Sequence, residues 1–252
     1  MACGPGRVQT QACDFGVIML ISPKSFGRAA LYSADRGEVM GNVWRVLLAF
    51  AVVMTMLFTP AAAQTATKRI VVLGDSLVAG FNLPADQAFP AVLQRELRAR
   101  GHDIAVVNAG VSGDTSTGGL ARLDWALADG ADGVIVELGA NDMLRGVDPV
   151  ETEKALDSIL AQLSRRKLPV LLAGMIAAPG MGKSFEERFN GIYGKLARKY
   201  DVLLYPFFLD GVTNERHMLL ADGMHPNKQG VEEMVRRILP HVLKLIAQIQ
   251  KQ

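Results

Sequence analysis

The stretch Val71–Gly80, VVLGDSLVAG, decides how this chain folds. An apolar, β-branched run ends at Gly74, then Asp75 and Ser76 precede a helix-like segment. That is the order of a buried strand turning into a helix in an α/β protein. Ser76 has two readings at this point. Its hydroxyl could cap the helix by accepting a free first-turn N–H, or it could be a nucleophile set at the strand's end.

The pattern repeats along the chain. RIVVL (69–73), IAVVN (104–108), GVIVEL (133–138), PVLLAGM (169–175) and VLLYPFF (202–208) are apolar runs bounded by Gly, Asp or Pro, as strands covered on both faces are. Helical patterns lie between them at 89–101, 148–163, 185–200 and 230–249, the last expected to bend or split at Pro240. Pro90 falls in a first turn, and Asp148, Pro149 and Glu151 supply a cap, a first-turn proline and an N3 acid. Five strands with helical crossovers predict one parallel sheet with helices on both faces, a three-layer α/β/α domain.

The N-terminal quarter reads differently. Met40–Gln64, MGNVWRVLLAFAVVMTMLFTPAAAQ, has Arg45, a 13-residue apolar run (46–58), then Pro60 with Ala61 and Ala63 at A-x-A spacing. This predicts a secretory signal cleaved after Ala63. The run is short for a membrane span, which takes roughly 20 residues, so an uncleaved anchor is the lesser reading. Residues 1–39 have no such order and read as an upstream extension with the start at Met40, or as a long n-region of the signal. Both cysteines, Cys3 and Cys13, lie there, leaving the mature chain neither disulfide nor thiolate. Losing residues 1–63 removes 5 of the 27 basic and 3 of the 25 acidic residues, leaving 22 of each in one domain, 64–252. That balance gives no footprint for nucleic acid. The mature chain is expected to be periplasmic, monomeric and without a stable membrane span.

In a parallel sheet ligands bind beyond the carboxyl ends of the strands. The residues after each run therefore share one rim: Gly74, Asp75 and Ser76; Asn108, Gly110, Gly113 and Asp114; Gly139, Asn141 and Asp142; and, after the fifth run, Asp222 and His225 in ADGMHPN. A serine, a histidine, an orienting carboxylate and placed N–H donors are what acyl transfer requires. Asp222 and His225, three apart, let the carboxylate reach Nδ1 in one local turn. Asn141 could instead be an ordinary turn residue, and Gly113 could simply supply a positive φ. Asp75, Asp114 and Asp142 read as caps or loop braces; His102, His217 and His241 read as surface or loop residues.

Four blocks, GDSL (74–77), SGDT (112–115), GAND (139–142) and DGMH (222–225), resemble those of the SGNH (GDSL) hydrolase superfamily, in its bacterial multifunctional thioesterase I/lysophospholipase/arylesterase branch. The resemblance spans roughly residues 69–242. It implies the flavodoxin-like SGNH fold, a triad of Ser76, Asp222 and His225, and oxyanion donors at Ser76, Gly113 and Asn141. It implies no metal or cofactor, and a small-molecule or lipid ester or thioester as substrate. Asp75, Leu77, Met143, Leu144 and Pro179 are the pocket candidates, 143–148 corresponding to a pocket loop in relatives. The loop IAAPGMGKSF (176–185) departs from the branch, so substrate preference is least fixed by the likeness.

AAPGMGKS (177–184) fits a relaxed phosphate-loop pattern, but Ala177 replaces its first glycine. Ser76 lacks the second glycine of a G-x-S-x-G elbow. No H-E-x-x-H or histidine pair offers a metal site. A polysaccharide O-acetyl esterase would use the same rim, and a non-catalytic acyl- or glycan-binding protein would have no use for the triad.

Overall fold

A computed structural model describes residues 67–251 together with Trp44, Arg45, Leu47 and Leu48. By compactness the chain divides into Met1–Ala63 and Gln64–Gln252. Apart from those four residues the expected signal segment lies outside the described residues, and so do residues 1–39 with both cysteines. Among the described residues no helix is long and apolar enough to cross a membrane.

Five parallel strands form one sheet: β1 (Lys68–Gly74), β2 (Ile104–Gly110), β3 (Gly133–Glu137), β4 (Val170–Ala173) and β5 (Leu203–Tyr205), in the order β2-β1-β3-β4-β5. The three-layer α/β prediction holds. β3 and β4 are buried throughout, and so is β1 from Ile70 onward. The edge strand β2 is only partly covered, unlike the buried strand its composition suggests. Its Val106 N–H is met instead by Gln94 Oε1 at 2.8 Å, a side chain closing an edge donor that the sheet leaves open. β5 stops at Tyr205, three residues before the apolar run does, because Pro206 has no N–H for the ladder.

Helix α1 (Ser76–Ala79) follows β1 directly, and α2 (Phe89–Ala99) returns along the sheet. Two short helices, α3 (Ser116–Ala121) and α4 (Leu123–Ala126), connect β2 to β3 where no helix was expected. Next come α5 (Ala140–Leu144), α6 (Pro149–Arg165), α7 (Lys183–Tyr200) and α8 (Lys228–Ile249). α2 packs with α8 on one face of the sheet; α3, α6 and α7 cover the other.

α8 runs unbroken through Pro240, so the expected split does not occur. Pro240 is exposed, and the carbonyl deprived of its partner belongs to exposed Arg236, where water can serve it. His241, one residue on, is not a surface residue. It is half-buried against Tyr205, ring centroids 5.1 Å apart, with Nδ1 and the Tyr205 hydroxyl both buried and unpartnered. Burial, with the Lys244 charge, lowers its pKa.

Candidate active site

The order β2-β1-β3 puts β1 at the point where the chain reverses its direction across the sheet, and the crevice beyond such a strand is where ligands bind. Ser76 stands there. The cap of α1 is Asp75, whose Oδ1 accepts the Leu77 N–H at 3.0 Å, so Ser76 is the first helical residue rather than the cap. Its hydroxyl is released for other work, and its own N–H is among the first-turn donors no helix carbonyl can take. Gly74 makes the approach possible: a Cβ there would sit 2.3 Å from Val78 Cγ2 and 2.8 Å from Glu137 Oε2.

His225 Nε2 lies 3.0 Å from Ser76 Oγ, and its Nδ1 lies 2.7 Å from Asp222 Oδ2. These three residues, 149 positions apart at the extremes, form one line of contacts. The loop carrying the last two is fastened locally. Asp222 Oδ1 accepts the N–H groups of Met224 and His225 at 2.9 and 3.0 Å, and Leu220 N–H reaches the His225 carbonyl at 2.7 Å. Asn227 caps α8 and donates to the carbonyls of His217 and Leu219. The bonds from Met224 and His225 hold the Asp222 carboxyl down to about 2, so it faces the imidazole as an anion.

Phe81, which the sequence did not single out, packs against the imidazole with ring centroids 4.4 Å apart and a tilt of 32°. Nothing local marked it, since the pairing joins residues from opposite ends of the domain.

Gly113 has φ +85, a conformation suited to glycine, and its carbonyl accepts Arg145 Nη2 at 2.7 Å. Asn141 reaches the same rim, but its amide is already engaged: Nδ2 donates to Asp75 Oδ2 and to the Asp114 carbonyl, both at 3.0 Å. An oxyanion would have to take one of those hydrogens. Arg122 closes the frame, donating to the carbonyls of Gly74 and Ala109 at 2.8 Å while paired with Asp114. Asp142 is buried and accepts from Ser116 N–H, Ser116 Oγ and Thr152 Oγ1. The bracing roles read for Asp75, Asp114 and Asp142 fit these contacts.

The pocket candidates separate. Asp75 is fully buried beneath Ser76, and Leu77 points into the core, so neither lines an open pocket. Both follow from the helix starting at Ser76, which turns its neighbours inward. Met143 is also buried; its Sδ accepts the Ala178 N–H at 3.0 Å and ties the loop after β3 to the loop after β4. Leu144 and Pro179 are exposed. Phe81, Val111, Leu144, Ile176 and Met224 are exposed apolar residues, and every one lies in a segment that follows the carboxyl end of a strand. The loop 176–184 has no phosphate cradle. The N–H groups of Ala177, Ala178 and Gly180 are taken by Asn190, Met143 and Glu186, and Lys183 extends into solvent toward Glu187.

Residues 72–232 match the model of the GDSL-like lipase/acylhydrolase family. The chain is 38% identical over 202 residues to esterase TesA of Pseudomonas aeruginosa, covering 80% of this chain and 98% of that one. It is 40% identical over 188 residues to thioesterase 1/protease 1/lysophospholipase L1 of Escherichia coli K12, covering 74% and 87%. The crystal structure of AlinE4, an SGNH-hydrolase family esterase, superimposes with a TM-score of 0.61 at 44% identity, covering 71% of this chain and 96% of that one. An α/β sheet with this rim and these relatives defines an ester hydrolase. The chain belongs to the GDSL-like lipase/acylhydrolase family.

Proposed function

We propose that Ser76, His225 and Asp222 are the catalytic triad of this hydrolase, and that it cleaves acyl esters and thioesters through an acyl-enzyme. The observation that carries the reading is the contact line from Ser76 Oγ through His225 to Asp222, at 3.0 and 2.7 Å. His225 Nε2 takes the serine proton as Oγ attacks the carbonyl carbon. The tetrahedral oxyanion is received by the N–H groups of Ser76 and Gly113, and by the Asn141 amide once it yields a resting bond. His225 then gives its proton to the departing alcohol or thiol. In the second half it takes a proton from water, whose oxygen attacks the acyl carbon, and returns it to Ser76 Oγ as the acid leaves. Asp222 keeps the ring proton on Nδ1 and stabilises the imidazolium. No step calls for a metal or cofactor.

The five exposed apolar rim residues favour substrates with an acyl or aryl group over a polysaccharide acetate. Acyl thioesters, lysophospholipids and aryl esters are the substrate classes we assign, in keeping with the names of the relatives. We assign the active protein to 64–252, as a monomer exported to the periplasm after cleavage near Ala63; the signal-like order of 40–63 and the division after Ala63 support this.

The test is turnover of p-nitrophenyl esters from acetate to palmitate, with intact mass after a fluorophosphonate probe, for the protein and its Ser76→Ala variant. One adduct and turnover, both lost on substitution, and an optimum beyond acetate are the expected results. A variant that keeps its turnover would refute the nucleophile; an optimum confined to acetate would favour the polysaccharide esterase.

A further inference from the structure

Beneath the nucleophile lie two carboxyl groups that the triad does not use. Glu137 ends β3, fully buried, and its Oε2 accepts the Asp75 N–H at 3.3 Å. Its other oxygen, Oε1, is buried and receives no donor. The Glu137 carboxyl, held at the Asp75 N–H, and the Asp75 carboxyl act on each other's ionisation. Facing this pair are the Leu77 N–H, the Asn141 amide, the Tyr193 phenol with Asp142 beyond it, and His225. Of these groups only His225 can be cationic. Two neighbouring carboxylates, out of water and faced by no permanent cation, do not both ionise, so one proton stays with the pair.

Which group holds it follows from the bonds. Asp75 accepts two charge-favouring hydrogen bonds, from Leu77 N–H at 3.0 Å and Asn141 Nδ2 at 3.0 Å. Glu137 has one longer bond and a bare oxygen. The anion belongs on Asp75 and the proton on Glu137. Burial pushes Glu137 well above the ordinary carboxyl range, the Asp75 charge adding to it, and burial lifts Asp75 to about 6.

We propose that Glu137 is a positioning residue: as a neutral acid it donates to the Asp75 carboxylate, which holds both the start of the nucleophile's helix and the Asn141 amide. The inference rests on the triad reading above. Asp75 is the joint of the arrangement. One oxygen fixes the Leu77 N–H, one residue from Ser76, and the other fixes Asn141 across the rim. With the acid gone, the Asp75 carboxylate loses its donor from below and is free to rotate away from one of those bonds. An ångström of misplacement at a reacting group costs on the order of 10²-fold in rate. The same buried carboxylate also faces His225.

Glu137→Leu and Glu137→Gln separate the possibilities in the full-length protein. The leucine variant should lose about 10- to 100-fold in kcat with KM within about twofold, since the lost interaction acts on the transition state rather than on binding. Glutamine, which donates through Nε2 while Oε1 accepts the Asp75 N–H, should recover most of that loss. Infrared spectra at pH 7 should contain the carbonyl band of an undissociated carboxylic acid, absent from Glu137→Gln. Wild-type kcat in the leucine variant, equal impairment in both variants, or no acid band would each overturn the proposal. If the leucine variant fails to fold, the glutamine variant and the acid band still decide it. Ser76→Ala run alongside keeps the two readings apart: turnover retained there refutes the triad itself, whereas turnover lost there and unaffected in Glu137→Leu refutes the role of Glu137 alone.

Discussion

Replacing Asp222 by asparagine should do more harm than removing its side chain altogether. Asp222 Oδ1 accepts two backbone N–H groups, from Met224 and His225. An asparagine must keep its carbonyl oxygen there, since its NH2 would otherwise oppose two donors. Its Nδ2 then stands where Oδ2 stood, 2.7 Å from His225 Nδ1, and offers a hydrogen. Nδ1 must accept, so the ring proton moves to Nε2 and points at Ser76 Oγ, 3.0 Å away. That imidazole cannot take the serine proton. In a triad with a buried aspartate this tautomer change costs about 10⁴ in kcat. The Asp222 side chain is 37% exposed, so water competes for Nδ1, and a loss on the order of 10³ is expected, about 4 kcal/mol of barrier. Asp222→Ala admits water beside Nδ1 and leaves both tautomers open, so it should retain more activity. The assay is kcat and KM on a p-nitrophenyl ester, with circular dichroism confirming the fold of each variant. An asparagine variant as active as the alanine variant, or within tenfold of the parent, would refute the tautomer argument.

Two further outcomes follow from the site and its surroundings. Asn141→Ala should lower kcat by about 10², the low end for a side-chain oxyanion donor, because the amide surrenders a resting bond to Asp75 or Asp114 before it can help; full turnover in that variant would remove Asn141 from the donor set. His241→Phe should protect against acid. The folded protein holds His241 below its ordinary value of 6.5 while the unfolded chain binds the proton normally, so stability is lost as pH falls below that value. The Tm of the variant minus that of the parent should widen from pH 7 to pH 5, and a constant difference would show that His241 does not titrate with unfolding.

The parts of the fold legible in the sequence are those whose burial is uniform. β1, β3 and β4 are covered on both faces and carry unbroken apolar runs. The edges are harder to read: β2 has the same composition but half its cover, and β5 is cut short by Pro206. α3 is hard to read because SGDTSTGGLARL has Gly118 and Gly119 where a helical period would show, and α4 is only four residues long. At the site, strand ends reveal the rim, so Ser76, Gly113, Asn141, Asp222 and His225 could all be nominated in advance. Depth could not be read. Asp75 and Leu77 stand beside Ser76 in the sequence yet face inward, and Phe81 meets His225 only through the fold. Glu137 did leave a signal: it is an acid inside a strand otherwise buried and apolar. Such a residue needs a partner or a proton.

The hydrogen bonds around the site divide it into two halves. Asn141 joins the loop after β3 to Asp75 after β1 and to Asp114 after β2; Asp142 joins it to Ser116; Arg122 returns from the β2 side to the Gly74 carbonyl. Three loops are thus laced into a ring that holds Ser76, Gly113 and Asn141 in mutual register, which is what an oxyanion site requires before charge develops. The loop carrying Asp222 and His225 is fastened to itself and to the start of α8 instead. Among the described residues, the Nε2–Oγ bond and the Phe81 ring link the two halves through His225. In the proposed mechanism the first of these is broken, because Oγ becomes the ester oxygen of the acyl-enzyme. On that mechanism Phe81 remains, and its ring contact is what would keep the imidazole in place to activate the water that follows.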